Sequence, residues 1–212
     1  MTLHEPTTFA TDLVLSALSI GCAVDLTRRA RANGSRAVGW LAATLAAAGL
    51  AALTGALSHG FGPEMAPAAA DALWRATLHA LGLMAFCLIV SSATAALRGP
   101  ALTAAYVAAL VELVAFTGWI ALHPEFRWLV LDYGIAILAA AALHIVRLRR
   151  GDQPGAVWIL AGLGVSIGAA LVQRGGFAAH LHFNHNDLYH VVQMLGTWLL
   201  YRGGRELPAT GA

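Results

Sequence analysis

The chain has 212 residues, 58% of them apolar, and only 11% are Asp, Glu, Lys or Arg, against roughly 25% in an ordinary soluble domain. So few charges cannot cover a water-facing surface, and a bilayer is the expected solvent. All 13 basic residues are arginine, so no side chain can form a Schiff base with retinal or pyridoxal. The net charge of +2 comes from arginines scattered through loops, which excludes the basic face that nucleic acid requires.

A membrane helix needs about 20 largely apolar residues, and seven stretches approach that length: roughly 9–27, 38–60, 70–97, 101–122, 128–147, 155–174 and 184–202. The spacing predicts an all-α, seven-transmembrane-helix bundle that uses nearly the whole chain as one domain. Short connections carry breakers such as Asn33-Gly34, Gly62-Pro63, Gly99-Pro100 and His123-Pro124. Before helix 1, the acidic segment Met1 to Pro6 lacks the basic start and small-residue cleavage site of a removable signal peptide. Asp12 and Asp25 fall near the two ends of helix 1, where they are expected to reach water. Cys22 and Cys87 lie inside apolar runs and read as core residues rather than as a disulfide or metal site.

Helix 2 closes on Thr54-Gly55-Ala56-Leu57-Ser58-His59-Gly60, where small residues leave room beside an imidazole. His59 is therefore a candidate metal ligand. Helix 3 carries Asp71, Arg75 and His79 at i, i+4 and i+8, a face about 80° wide. A plain Asp71–Arg75 ion pair at the helix start is an equally good reading, and His79 also reads as a hydrogen-bonded interior residue. Glu112 falls near the middle of helix 4, where an unpaired carboxylate would be costly. Asp132, early in helix 5, is placed to extend the same polar region. The helix-6 pattern Gly162-x-Gly164-x-x-x-Gly168 lies within an apolar span and reads as a packing surface, not a nucleotide loop. On helix 7, Asn186, His190, Gln193 and Thr197 form a narrow stripe with Asp187 beside it, while His185 points elsewhere on the wheel. His123, His180 and His182 read as loop residues.

Orientation follows from the arginines. Ten of them (Arg28, Arg29, Arg31, Arg36, Arg98, Arg147, Arg149, Arg150, Arg202 and Arg205) fall on one side of the bundle, while Arg75, Arg127 and Arg174 fall on the other. Positive residues stay cytoplasmic in short loops, which puts the N-terminus outside and the C-terminus inside. Trp74, Trp119 and Trp128 near one boundary and Trp40, Trp158 and Trp198 near the other agree with interfacial belts. Intramembrane polar stripes face a bundle interior or a wet cavity, so helices 2, 3 and 7 are expected to converge on one chamber in the outer half. Imidazoles and a carboxylate suit zinc, and three protein ligands leave a position for an activated water. The expected ligands are His59 and His190 with Asp187 or His185 as the third. Asp71 would orient a ligand or act as general base, and Asn186, His79, Arg75 and Gln193 would line the pocket.

These residues resemble the seven-helix superfamily that joins alkaline ceramidases, the progestin and adiponectin receptors and the Per1 proteins. The resemblance rests on seven spans, Ser58-His59 late in helix 2, Asp71 about a dozen residues on, and the segment Asn186-Asp187-Leu188-Tyr189-His190-Val191-Val192-Gln193-Met194-Leu195-Gly196. It implies zinc held by a helix-2 histidine and an H-x-x-x-H pair on helix 7, with a serine and an aspartate nearby. His59, His190 and Asp71 map onto that scheme. Asn186 stands where the pair's first histidine would be, and Gly55 where the serine would be, leaving Thr54 or Ser58 as substitutes. The implied activity is zinc-dependent hydrolysis of an amide or ester in a lipid-like substrate from the membrane. A receptor or sensor using the same pocket, haem ligation, and a proton or cation path through Glu112, Asp132 and Asp71 are the other readings of these residues. The absence of lysine and the surplus of alanine and glycine resemble a GC-rich coding bias, which points to a bacterial inner membrane with the site toward the periplasm.

Overall fold

A computed structural model describes residues 2–151, 155–178, 180 and 183–207; His182 lies outside them. The described residues form α1 (Pro6–Asn33), α2 (Arg36–Phe61), a short 3-10 turn (Gly62–Glu64), α3 (Pro67–Ala96), α4 (Gly99–Leu122), α5 (Phe126–Arg149), α6 (Ala156–Gly175) and α7 (His185–Glu206). Each helix covers nearly all of its predicted apolar stretch, and most overrun it because polar residues at the boundaries continue the turn. Local chemistry sets the ends. Prolines occupy the first turns of α1, α3 and α4, where a missing N–H costs nothing. Gly34 closes α1 in the left-handed region at φ 64°, a conformation that side chains other than glycine avoid.

Helices α1 to α6 are long and apolar enough to cross a membrane. With 22 residues, α7 reaches about 33 Å at 1.5 Å per residue, but its polar residues keep it below the same apolarity. Six helices form a closed ring in the order α1, α2, α3, α5, α6, α7, with α7 packed back against α1; α4 lies outside the ring on α3. The arrangement has a solid end and a hollow end.

The solid end is the arginine-rich one. Leu26, Leu41, Leu45, Leu88, Ile159 and Leu200 interlock there from five helices. In lipid there is no hydrophobic drive between helices, so close backbone approach and dispersion hold the bundle. Small residues make the approach possible. A Cβ on Gly203 of α7 would lie 2.5 Å from Ile159 Cγ1 and 3.0 Å from the Ile159 backbone nitrogen on α6. A Cβ on Gly49 of α2 would lie 2.6 Å from Ile20 Cγ1 of α1, where the Ser16 hydroxyl also donates to the Gly49 carbonyl at 2.8 Å. A second apolar cluster, Leu78, Phe116, Ile120 and Leu129, fixes α4 and the start of α5 to α3.

Candidate functional site

The hollow end contains a cavity of about 440 Å³, within the usual range for small-molecule sites. It is lined by the six ring helices and by no residue of α4. Its lining is mixed. Ala48, Ala52, Leu81, Met84, Leu129 and Ile137 of α2, α3 and α5, with Ile167, Ala170 and Leu171 of α6, give the apolar part; Asp12 of α1 and Ser166, Asn186, Tyr189, His190 and Gln193 of α6 and α7, with His59 of α2 and Thr77 of α3, give the polar part. Four lining residues are also exposed on the outside of the bundle: Val130 on α5 and Ile167, Leu171 and Arg174 on α6. The cavity therefore opens sideways between α5 and α6, where Leu171 is 64% exposed and a Cβ on Gly134 would meet nothing within 4 Å.

His190 is the centre of the polar part. Its Nε2 lies 3.1 Å from Asp12 Oδ1, with both side chains buried, and its Nδ1 lies 3.0 Å from the Thr11 hydroxyl. The Thr11 hydroxyl donates to the Thr8 carbonyl at 3.1 Å. A hydroxyl has one hydrogen, so Nδ1 must supply the proton of its own contact with Thr11. Nε2 then faces Asp12 across one further proton. The pair as a whole is satisfied as a neutral unit, either imidazolium with carboxylate or imidazole with carboxylic acid, and the difference between them is the position of that one proton. Such a unit tolerates burial far better than either charge alone.

Asp187 organises the approach to this pair. Asn184 and Asp187 form a capping box: the Asn184 side chain accepts from the backbone of Asn186 and Asp187, and Asp187 Oδ2 accepts from the Asn184 backbone N–H at 2.7 Å. Its other oxygen, Oδ1, accepts from the Thr8 hydroxyl at 2.8 Å. The cap thus ties the start of α7 to the start of α1 and sets the register at which His190 meets Asp12.

The expected ligands do not assemble into a metal centre in this arrangement. His190 has both ring nitrogens engaged and Asp187 both oxygens, as described. The His59 Nδ1 lies 3.1 Å from Glu5 Oε2. His59 does line the same cavity as His190, whereas His185 does not. Among the described residues, no group of three or more His, Cys, Asp or Glu side chains is placed to hold a metal ion. His59, His190 and Asp187 are each matched instead to a hydrogen-bonding partner contributed by α1 or by the segments before α1 and α7.

The remaining predicted residues divide between the cavity and other places. Asn186 and Gln193 line the cavity; Asn186 Oδ1 accepts from Gln173 at 3.3 Å, and Gln193 Nε2 donates to the Ser166 hydroxyl at 3.1 Å. Asp71, Arg75 and His79 do not line it. Arg75 donates to Asp71 at 2.7 Å and to the Ala121 carbonyl at 2.8 Å, so the helix-3 stripe is turned toward α4, outside the ring. Ser58 is also absent from the cavity wall, and its hydroxyl is buried without a partner. Asp12, expected at a wet helix end, is instead 4% exposed. The signal for it is a stripe on helix 1: Thr8, Asp12, Ser16 and Ser19 recur at i, i+4, i+8 and i+11, and all four are buried. Gly55 explains part of the departure from the resembled pattern. A Cβ there would lie 3.3 Å from Asp12 Oδ2, so Asp12 occupies the space into which a serine at position 55 would project.

Fold and site together define an all-helical bundle of membrane-spanning character with a laterally open cavity and a buried carboxyl–imidazole pair. The chain belongs to the DUF6962 family, a family of unknown function, which it matches over residues 7–209. No curated protein matches it, and no solved structure does.

Proposed function

We propose that the protein is a seven-span integral membrane protein, N-terminus outside, that binds a lipid-like amphipathic molecule in its outer-half cavity. The molecule enters sideways from the bilayer between α5 and α6, lays its chain along the apolar lining, and sets its polar group against His190 and Asp12. One observation carries this reading: a mostly apolar lining that also holds His190 and Asp12 belongs to a cavity whose exposed lining residues all lie on α5 and α6. A ligand from water would need an axial entrance, whereas a membrane lipid needs a lateral one. The ten-to-three distribution of arginines supports the orientation and a cytoplasmic place for the solid end.

The Asp12–His190 pair favours a second reading of the same cavity, hydrolysis of an amide or ester in the bound molecule. A proton that moves between Nε2 and a carboxyl oxygen suits general acid–base work on a leaving group. This reading needs no metal. A panel of long-chain acyl amides and acyl esters, offered to the purified protein in nanodiscs, separates the two. Retention of a panel member without release of fatty acid supports binding. Release that is lost in His190→Gln supports hydrolysis. Neither retention nor release from any member, with the protein folded, would contradict both.

A further inference from the structure

Three arginines stand at the hollow end, and two of them have an acid of their own. Arg75 pairs with Asp71 at 2.7 Å, and Arg127 lies 3.9 Å from Glu125. Arg174, one residue before the end of α6, has no ion-pair or hydrogen-bonding partner among the described residues. The other acids around this end are engaged elsewhere: Glu5 with His59, Glu64 with His4, Asp12 with His190, and Asp187 with Thr8 and the α7 cap. Asp132 is buried and does not line the cavity. An arginine on the outer side runs against the usual bias of membrane proteins, and one without an internal counter-charge is placed for an external one.

Arg174 is also where the cavity meets the outside. It is the only arginine of the described lining, it is exposed at the α5–α6 gap, and Asp12 is the only acid. The lining then changes character with depth. At the level of Arg174, Gln173 donates to Asn186 Oδ1 at 3.3 Å, which leaves the Asn186 amide N–H groups without a partner among the described residues. Ser166 and Gln193 lie eight and seven residues deeper on α6 and α7, about 10–12 Å at 1.5 Å per residue. Gln193 spends one end of its amide on Ser166 and leaves the buried Oε1 unmatched. Deeper still, Ala48, Leu81 and Met84 are apolar. A cation at the mouth, neutral hydrogen-bonding groups below it and an apolar floor match a charged head, a polar linkage and a chain in that order. The middle level suits a neutral linkage, since Asp12 and His190 already balance each other there.

Resting on the reading of this cavity as a lipid site, we propose that its ligand is a single-chain acyl amide or ester whose head ends in an anion, a carboxylate or a phosphate. Arg174 and the Asn186 amide hold the anion at the mouth, and the guanidinium can offer two parallel N–H groups to either kind. The linkage lies against Gln193, and the chain runs down to Ala48, Leu81 and Met84. A cavity of about 440 Å³ takes one drug-sized molecule, hence one chain.

Binding to the full chain in phosphatidylcholine nanodiscs tests this with two matched pairs that differ in head-group charge: N-palmitoylglycine against N-palmitoylethanolamine, and palmitoyl lysophosphatidate against monopalmitoylglycerol. In the wild type the acidic member of at least one pair should bind about fivefold more tightly than the neutral one, the upper end for a solvated ion pair. A preference within one pair only tells carboxylate from phosphate. Arg174→Gln should abolish the preference and leave the neutral member's affinity and the melting temperature unchanged, because Arg174 has no partner within the described fold. Arg127→Gln removes the same outer charge away from the cavity and should keep the preference. Equal affinity within both pairs, a preference that survives Arg174→Gln, or one lost equally in Arg127→Gln would overturn the inference and leave the lipid-binding reading standing. Binding of none of the four probes, with the protein folded, would contradict both.

Discussion

The two ends of the bundle are built from the same helices yet solve opposite problems. At the arginine-rich end, leucines and isoleucines from five helices fill the space between backbones, and Gly203 lets the backbones of α6 and α7 touch. At the other end the same helices leave about 440 Å³ unfilled. The residues that would have filled it are alanines on α2 and polar side chains on α1, α6 and α7. The difference teaches where function sits in such a protein. A membrane bundle is stabilised by contact, so a region that gives up contact and buries Asp12 and His190 instead must be held together by hydrogen bonds. Here the Asn184–Asp187 cap, Thr8 and Thr11 supply them.

That comparison can be broken at several points. The largest effect is expected from Asp12→Leu, which leaves His190 buried with one nitrogen unmatched; breaking a buried pair of this kind costs roughly 3–5 kcal/mol. Asp12→Asn should recover most of that loss in a thermal unfolding series in detergent, since an amide can still face Nε2. Equal destabilisation by both variants would show that the pair contributes only through packing. Next comes the solid end. Gly203→Val drives a side chain into Ile159 and the α6 backbone, for about 1–3 kcal/mol of overpacking, and should lower stability without altering what the cavity retains.

The hollow end should respond in the reverse sense. Gly134→Trp places bulk at the α5–α6 gap, where there is open space, and should slow exchange of a bound fluorescent fatty amide severalfold while leaving the melting temperature near that of the wild type. Unchanged exchange would place the entrance elsewhere. The smallest effect is expected from Arg75→Ala. Its ion pair with Asp71 is partly exposed, at 32% and 53%, and such pairs contribute about 1 kcal/mol or less. Loss of the contact to the Ala121 carbonyl should loosen the end of α4 in hydrogen exchange and leave the cavity unaffected.

The helices were legible in the sequence because hydrocarbon thickness and backbone hydrogen bonding leave a chain this apolar few alternatives. Only their ends moved. The cavity was legible in part: His59, His190, Asn186 and Gln193 do line one cavity, because polar residues in lipid have to turn inward. Asp71, Arg75 and His79 obey the same rule but turn to α4, and nothing in the spacing of one helix reveals which neighbour it faces. Asp12 was obscured by its nearness to a chain end. The Thr8–Asp12–Ser16–Ser19 stripe shows that the end of α1 is enclosed by α7, a contact that only the closed ring creates. The capping role of Asp187 was likewise hidden, since a carboxylate three residues after Asn184 suits a ligand and a cap equally well until the backbone N–H is seen to reach it.

The claim on which the account depends is that the hollow end is an occupied binding site and not a packing defect. Native mass spectrometry of the protein released from lipid nanodiscs, compared with Ala52→Phe in the apolar lining, tests it most directly. The account predicts one retained amphiphile per chain in the wild type and none in the variant, with both proteins folded. The same retained mass in both, or none in the wild type, would contradict it.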